Sequence, residues 1–190
     1  MTKLIYQPVK PFKINQRFGD NRACVDLATN SKYITCDGKN PPEGYKSVYG
    51  ERGHSGLDLA IYRGQPIYCV ADGIVSSIDT NPRTGLDVRI ITEYKGKRYL
   101  HWYEHLQGHN VKVGDKVGVG DCIGWGDNTG YSSGDHLHLE FREEVNGQWV
   151  SIDPLIYMEN GFALDVKGLL AKIRELMARV AELLADKLRK

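Results

Sequence analysis

From residue 54 to about 152 the chain is a succession of short β-type runs, and that feature leaves few folds open. "LDLAIY", "PIYCVADGIVSSI", "DVRIITEY", "RYLHWYEHL", "DCIGWG", "HLHLEFREE" and "QWVSI" follow one another with Gly, Asp and Asn between them. Several alternate apolar with polar, the period of a strand with one face on a core. "HNVKVGDKVGVGDCIGWGDNTG" carries a glycine every few residues, as tight hairpins and bulges require, and the chain has 21 glycines in all. The expectation is a mainly β fold built on a compact antiparallel sheet, spanning residues 51–158.

The flanks are of other material. Residues 1–19 read as an extended arm ending in "INQRFGD", and "TCDGKNPPEGYKSVYG" within 20–50 holds turn formers with almost no periodicity. Arm and loop-rich insert, 1–50, are assigned to the same domain as the core. Residues 164–190 place apolar side chains at 169, 170, 173, 176, 177, 180, 183, 184 and 188, one broad stripe of an amphipathic α-helix. Seven Lys/Arg stand there against four Asp/Glu. Such a helix can pack on its own domain, form a homo-oligomeric bundle, or dock on a partner or a membrane surface; the oligomer is the expected use. The formal net charge of +1 gives no electrostatic footprint for nucleic acid. No apolar run reaches the length of a transmembrane helix or of a signal-peptide core. The cysteines at 24, 36, 69 and 122 form no CxxC pair, which argues against a zinc ribbon. Cys24 and Cys36 flank a polar loop and suit a disulfide. Cys69 and Cys122 fall in strand-like runs, where a thiol is a small core residue.

Chemistry enters with the histidines at 54, 101, 105, 109, 136 and 138. A lone histidine in a strand is more often a hydrogen-bonded structural residue than a ligand. Here several stand in or beside predicted strands, with Asp58 four residues after His54 in "HSGLD". In "GDHLHLEF", His136 and His138 are two apart, so they project to one strand face with Cα atoms roughly 7 Å apart. Both rings can reach one pocket, one binding a metal and the other addressing a substrate. Glu140 shares that parity and can orient an imidazole. Fully extended, His54 and Asp58 would lie about 13 Å apart. Two ligands of one zinc need bonds of about 2 Å. Ser55-Gly56 is therefore expected to bend the chain, with Asp58 at a strand start. A His, Asp, His set suits zinc and leaves a fourth position for water. There is no HExxH, so free histidines beside the metal are the natural acid and base.

"HSGLDLA", "YEHL" and "GDNTGYSSGDHLHLEF" together resemble the lysostaphin/LytM-type zinc metallopeptidases, whose pattern is HxxxD, a downstream His-Leu, and HxH after a Gly-Asn-Thr-Gly-like turn. The resemblance covers residues 48–145, and "QRFGDN" is similar to the family's first strand. It implies that His54, Asp58 and His138 bind Zn2+, and that His105 and His136 are metal-free catalytic histidines. One would help activate the water; the other would steady the oxyanion or protonate the leaving amine. It implies a groove over the zinc in a small antiparallel β domain, and hydrolysis of peptide bonds in peptidoglycan stems or cross-bridges. The expected place of action is the bacterial cell wall, whether periplasmic, extracellular or phage-delivered. With no signal peptide visible, a phage or prophage lytic protein fits.

Several residues depart from that pattern. The 20–50 insert could wall the groove or decorate the edge, and Asn21 or Cys24 could block the metal in a latent form. His101 is an extra histidine, either groove lining or structural. His109 falls in a predicted turn and is expected to be exposed. Two other functional classes compete: a non-catalytic peptidoglycan-binding or partner-regulating domain, and an assembly component whose helix matters more than its site.

Overall fold

The computed structural model describes residues 7–20, 23–26, 31–35 and 53–158. The chain divides into two compact units, Met1–Pro154 and Leu155–Lys190. The expected helix at 164–190 and the Cys24–Cys36 pairing lie outside the described residues, as does Asn21. No helix of the described residues is long and apolar enough to cross a membrane.

The first unit holds strands β1 (Ile14–Gln16), β2 (Ala23–Asp26), β3 (Ser31–Thr35), β4 (Leu57–Ala60), β5 (Pro66–Tyr68) and β6 (Gly73–Asn81). They are followed by β7 (Gly85–Tyr94), β8 (Lys97–His109), β9 (Lys116–Val117), β10 (Cys122–Gly126), β11 (His136–Val145) and β12 (Gln148–Ile152). The main sheet runs β1-β4-β11-β8-β7-β6-β9, with β12 beside β11, β10 beside β8, and β5 beside β10. Every pairing is antiparallel. The mainly β, antiparallel expectation is met.

Strand alternation fixes the core. Leu137, Leu139 and Phe141 of β11 point inward beside Leu57 and Leu59 of β4, Tyr103 of β8, and Val88 and Ile90 of β7, all essentially sealed from solvent. Each such side chain contributes about 1.5–3 kcal/mol by leaving water. The alternate residues of β11 should face solvent in an ordinary one-sided sheet. Instead His138 and Glu140 are also buried, though on the polar face. Polar side chains stay buried only where they are paired or ligated, so this face marks the site.

Two segments differ from expectation. The arm is an edge strand: Ile14 pairs with Leu59 and Gln16 with Asp58. Inside the loop-rich insert, β2 and β3 pair as a separate two-stranded sheet. Neither has enough residues for alternation to be read. The run "PIYCVADGIVSSI" also divides, into β5 and β6. Cys69 therefore lies just past a strand end, where it is buried and donates to the Ala71 carbonyl at 2.9 Å. Cys122 opens β10 and is half-buried.

Candidate metal centre and its groove

β4 and β11 pair with Asp58 opposite His138. Side chains directly opposite each other in an antiparallel pair stand on one face and within reach. Asp58 Oδ1 is 2.8 Å from His138 Nδ1. His54 lies before the strand, and the chain bends at Gly56 to bring its ring onto the same spot. His54 Nε2 is 3.1 Å from both Asp58 Oδ1 and His138 Nδ1. The bend needs glycine for space: a Cβ at residue 56 would stand 2.6 Å from the Leu139 carbonyl oxygen and 2.8 Å from His138 Nε2.

These three atoms form a triangle with edges of 2.8–3.1 Å. One face of a tetrahedron with metal–ligand bonds of about 2.0–2.1 Å has edges of about 3.3 Å. The donor set therefore fits a small tetrahedral cation after a slight expansion. Each histidine is turned by its other nitrogen. His54 Nδ1 donates to the Arg17 carbonyl of the strand-end arm at 3.0 Å. His138 Nε2 reaches Glu140 Oε1 at 3.4 Å, and Arg142 Nε donates to Glu140 Oε2 at 2.7 Å. Partners of this kind fix the ring and raise ligand basicity. Electrostatics point the same way. Burial opposes charge on His138, but its hydrogen bonds to Asp58 and Glu140 override burial and raise its pKa to about 10. Burial likewise opposes ionisation of Asp58, yet the bonds from His138 and His54 hold its carboxyl well below the usual carboxylate range. The two carboxylates thus favour positive charge at this spot, whether a proton on His138 or a bound cation. Glu104, His138 and Glu140 form a second convergent group, but Glu140 is already held by Arg142.

His136 and His105 flank the triangle. His136 Nδ1 donates to the Gly134 carbonyl at 2.8 Å, and its Nε2 is 3.6 Å from Asp58 Oδ1. The His105 and His136 rings are 4.7 Å apart between centroids. His105 arrives by a β-bulge. Leu86 pairs with Leu106 and Val88 with Tyr103, so Glu104 and His105 both stand opposite Asp87 alone. His105 has φ 63°, the left-handed region, and its ring turns to the groove beside Glu104. His105 Nδ1 donates to the Thr129 carbonyl at 2.7 Å, which leaves Nε2 as the acceptor on the groove side. Burial, with the nearby His136, lowers the His105 pKa to about 4, so the ring is neutral at pH 7.

A match to the model of Peptidase family M23 covers residues 52–154. The chain belongs to peptidase family M23. It is 34% identical over 56% of its length to the glycyl-glycine endopeptidase ALE-1 of Staphylococcus capitis. It is 40% identical over 46% of its length to the peptidoglycan DD-endopeptidase ShyA of Vibrio cholerae. Those matches cover 29% and 20% of the two relatives, so the chain spans less than a third of the curated relatives' length. The fold matches the catalytic domain of lysostaphin from Staphylococcus simulans with a TM-score of 0.57, at 24% identity over 78% of this chain and 92% of that one.

The groove of this M23 domain has a volume of about 490 Å3, within the roughly 300–1,000 Å3 of ligand clefts. One bank is the triangle on β4 and β11. The other consists of the β8 bulge, the turn 81–85, and the loop 127–135. Arg63, just after β4, ties the two ends of that loop: its guanidinium forms an ion pair with Asp127, Nε to Oδ1 2.8 Å, and donates to Asn128 Oδ1 at 2.9 Å and Asp135 Oδ1 at 3.3 Å. Sequence reasoning missed Arg63, Arg83 of the turn, and Glu104. Glu104 is buried on the groove floor, and burial raises its pKa to about 7. Its only signal was adjacency to His105. The two remaining histidines lie away from the groove. His101 is structural, sealed on the core side against the Phe141 ring at 4.5 Å; burial lowers its pKa to about 3. His109 is exposed but is the last residue of β8 rather than part of a turn, and its Nδ1 donates to the Val111 carbonyl.

Proposed function

We propose that this chain is a zinc-dependent endopeptidase that hydrolyses peptide bonds of peptidoglycan, in stem peptides or cross-bridges, at the bacterial cell wall. The observation that carries the reading is the convergence of His54 Nε2, Asp58 Oδ1 and His138 Nδ1 on one point, with two further histidine rings beside it in a peptide-sized groove. His54, Asp58 and His138 would hold the zinc. Bound there, zinc supplies Lewis acidity to a water and to the scissile carbonyl.

The protein's own groups supply the rest. His105 is neutral at pH 7 and offers Nε2 to the groove, so it can take a proton from the attacking water and pass it to the leaving amine. His136, with Nδ1 turned to the Gly134 carbonyl, presents Nε2 on the metal side, where the ring can steady developing negative charge on the carbonyl oxygen. Glu140 and Arg142 hold His138 in place, and the Arg17 carbonyl holds His54.

The test is a muropeptide digest. Purified peptidoglycans of different cross-link chemistry are incubated with the protein, with and without chelator, and products are identified by mass spectrometry. New amino and carboxyl termini that vanish with chelator and return with zinc are expected. A zinc-loaded protein that cleaves none of the sacculi would overturn the reading.

A further inference from the structure

The groove has two arginines among its described lining residues, and they are employed differently. Arg142 is spent on Glu140. The Arg83 guanidinium, by contrast, makes no hydrogen bond or ion pair among the described residues, yet lines the groove and is exposed.

A free cation on a mobile loop would mean little, but Arg83 is not loosely held. Asn81 Oδ1 accepts the backbone N–H groups of Arg83 and Thr84 at 2.9 and 3.0 Å, closing an Asx turn. Thr84 Oγ1 donates to buried Asp87 at 2.6 Å. The Tyr131 N–H donates to the Arg83 carbonyl at 2.9 Å, tying the turn to loop 127–135 on the same bank. Gly85, at φ 65°, lies so close to Thr129 that no Cβ fits between them. Most tellingly, the His105 N–H donates to the Thr84 carbonyl at 2.9 Å. One hydrogen bond therefore links the backbone of the catalytic histidine to the residue beside Arg83. The turn fixes the backbone of Arg83 beside the catalytic histidine, and the solvated guanidinium, unpaired among the described residues, lines the groove from that anchor.

We propose that Arg83 pairs with a free carboxylate of the substrate peptide close to the scissile bond, so that the groove selects carboxylate-bearing stem peptides over neutral glycine bridges. This rests on the peptidase reading above. A guanidinium fork matches a carboxylate in two parallel hydrogen bonds, which a carboxamide or a bare glycine chain cannot replace. An oligoglycine bridge presents no carboxylate along its length, whereas stem peptides present several.

The experiment uses muropeptides from one cross-linked peptidoglycan, intact and after carbodiimide coupling of their carboxylates to ammonia. Wild type, R83Q and R83K, as zinc-loaded full chains, are compared on both. Wild type is expected to cut the free-acid form about tenfold or more better in kcat/KM. R83Q should cut both forms equally, and R83K should keep part of the preference. The same preference in wild type and R83Q, or none in either, overturns the assignment. Binding of both forms is measured by calorimetry in the His105→Ala background, with and without R83Q. If nothing is cleaved, the peptidase reading fails by itself. The assignment of Arg83 then stands if binding discriminates and R83Q abolishes the difference, and falls if the two forms bind alike.

Discussion

The two banks of the groove are built by opposite means. On the metal bank, Asp58 and His138 face each other because antiparallel register puts them there, and the converging atoms of His54, Asp58 and His138 contact one another side chain to side chain. On the other bank, His105 points into the groove only because β8 carries one residue more than β7 across the bulge. There the bonds run to backbone: Thr129 and Thr84 carbonyls to His105, the Arg83 carbonyl to Tyr131. A bank made of register tolerates little change in its ligands. A bank made of backbone bonds tolerates changes in many side chains, so it is where specificity can vary.

The sharpest way to break this contrast is to remove one ring from each side. His138→Ala should abolish metal binding and lower kcat/KM roughly a thousandfold or more. Metal content by elemental mass spectrometry, read beside activity, checks it. His105→Ala should lower kcat/KM by about 10²- to 10⁴-fold while metal content stays at the wild-type level. Loss of metal from the His105 variant would mean that the two banks are one unit.

β8 also provides an internal control, because His101 lies on its core side. The folded His101 pKa of about 3 stands below the unfolded value of 6.5. As pH falls below 6.5 the unfolded chain takes a proton that the folded chain refuses until about pH 3, so stability drops through that window and is unaffected above it. Between pH 6.5 and 4.5 the loss from this residue is about 2–3 kcal/mol. Urea midpoints should fall over that range in wild type and fall distinctly less in His101→Leu. The smallest effect belongs to Arg63→Ala. With more than half of Arg63 exposed, its ion pairs stabilise the fold by less than about 1 kcal/mol. Loosening the ends of loop 127–135 should nevertheless cost about three- to tenfold in kcat/KM, seen in kcat more than in metal content. Unchanged turnover would show that the loop holds itself.

The same contrast explains what could be read from the sequence. The histidine pair, its shared face, the bend at Gly56 and the reach of Glu140 to an imidazole follow from strand period and bond lengths, and the structure has them. Strand parity put His101 and His105 on one side, and the bulge separates them: one residue in the left-handed region reverses the facing of everything beyond it. Nothing in "YEHL" announces that. Arg63 and Arg83 were invisible for a related reason. Arg63's partners are side chains of a loop far along the chain, and the Arg83 guanidinium has no hydrogen bond or ion pair among the described residues, so neither leaves a pattern in residue type. The hairpin in the insert and the edge strand at 14–16 are too short for periodicity to speak.

One contact reaches further than its size suggests. The Arg17 carbonyl that turns His54 belongs to the arm, which lies outside the segment matched by the family model. Excising 52–154 as a minimal fragment would leave the His54 ring, proposed as the first ligand, free to spin and strip β4 of its neighbour β1. The freed rim of the sheet would then be a template for pairing between molecules. A fragment trimmed to the homology boundary should therefore come out of purification clumped and poor in metal, and a usable one must begin upstream of Ile14.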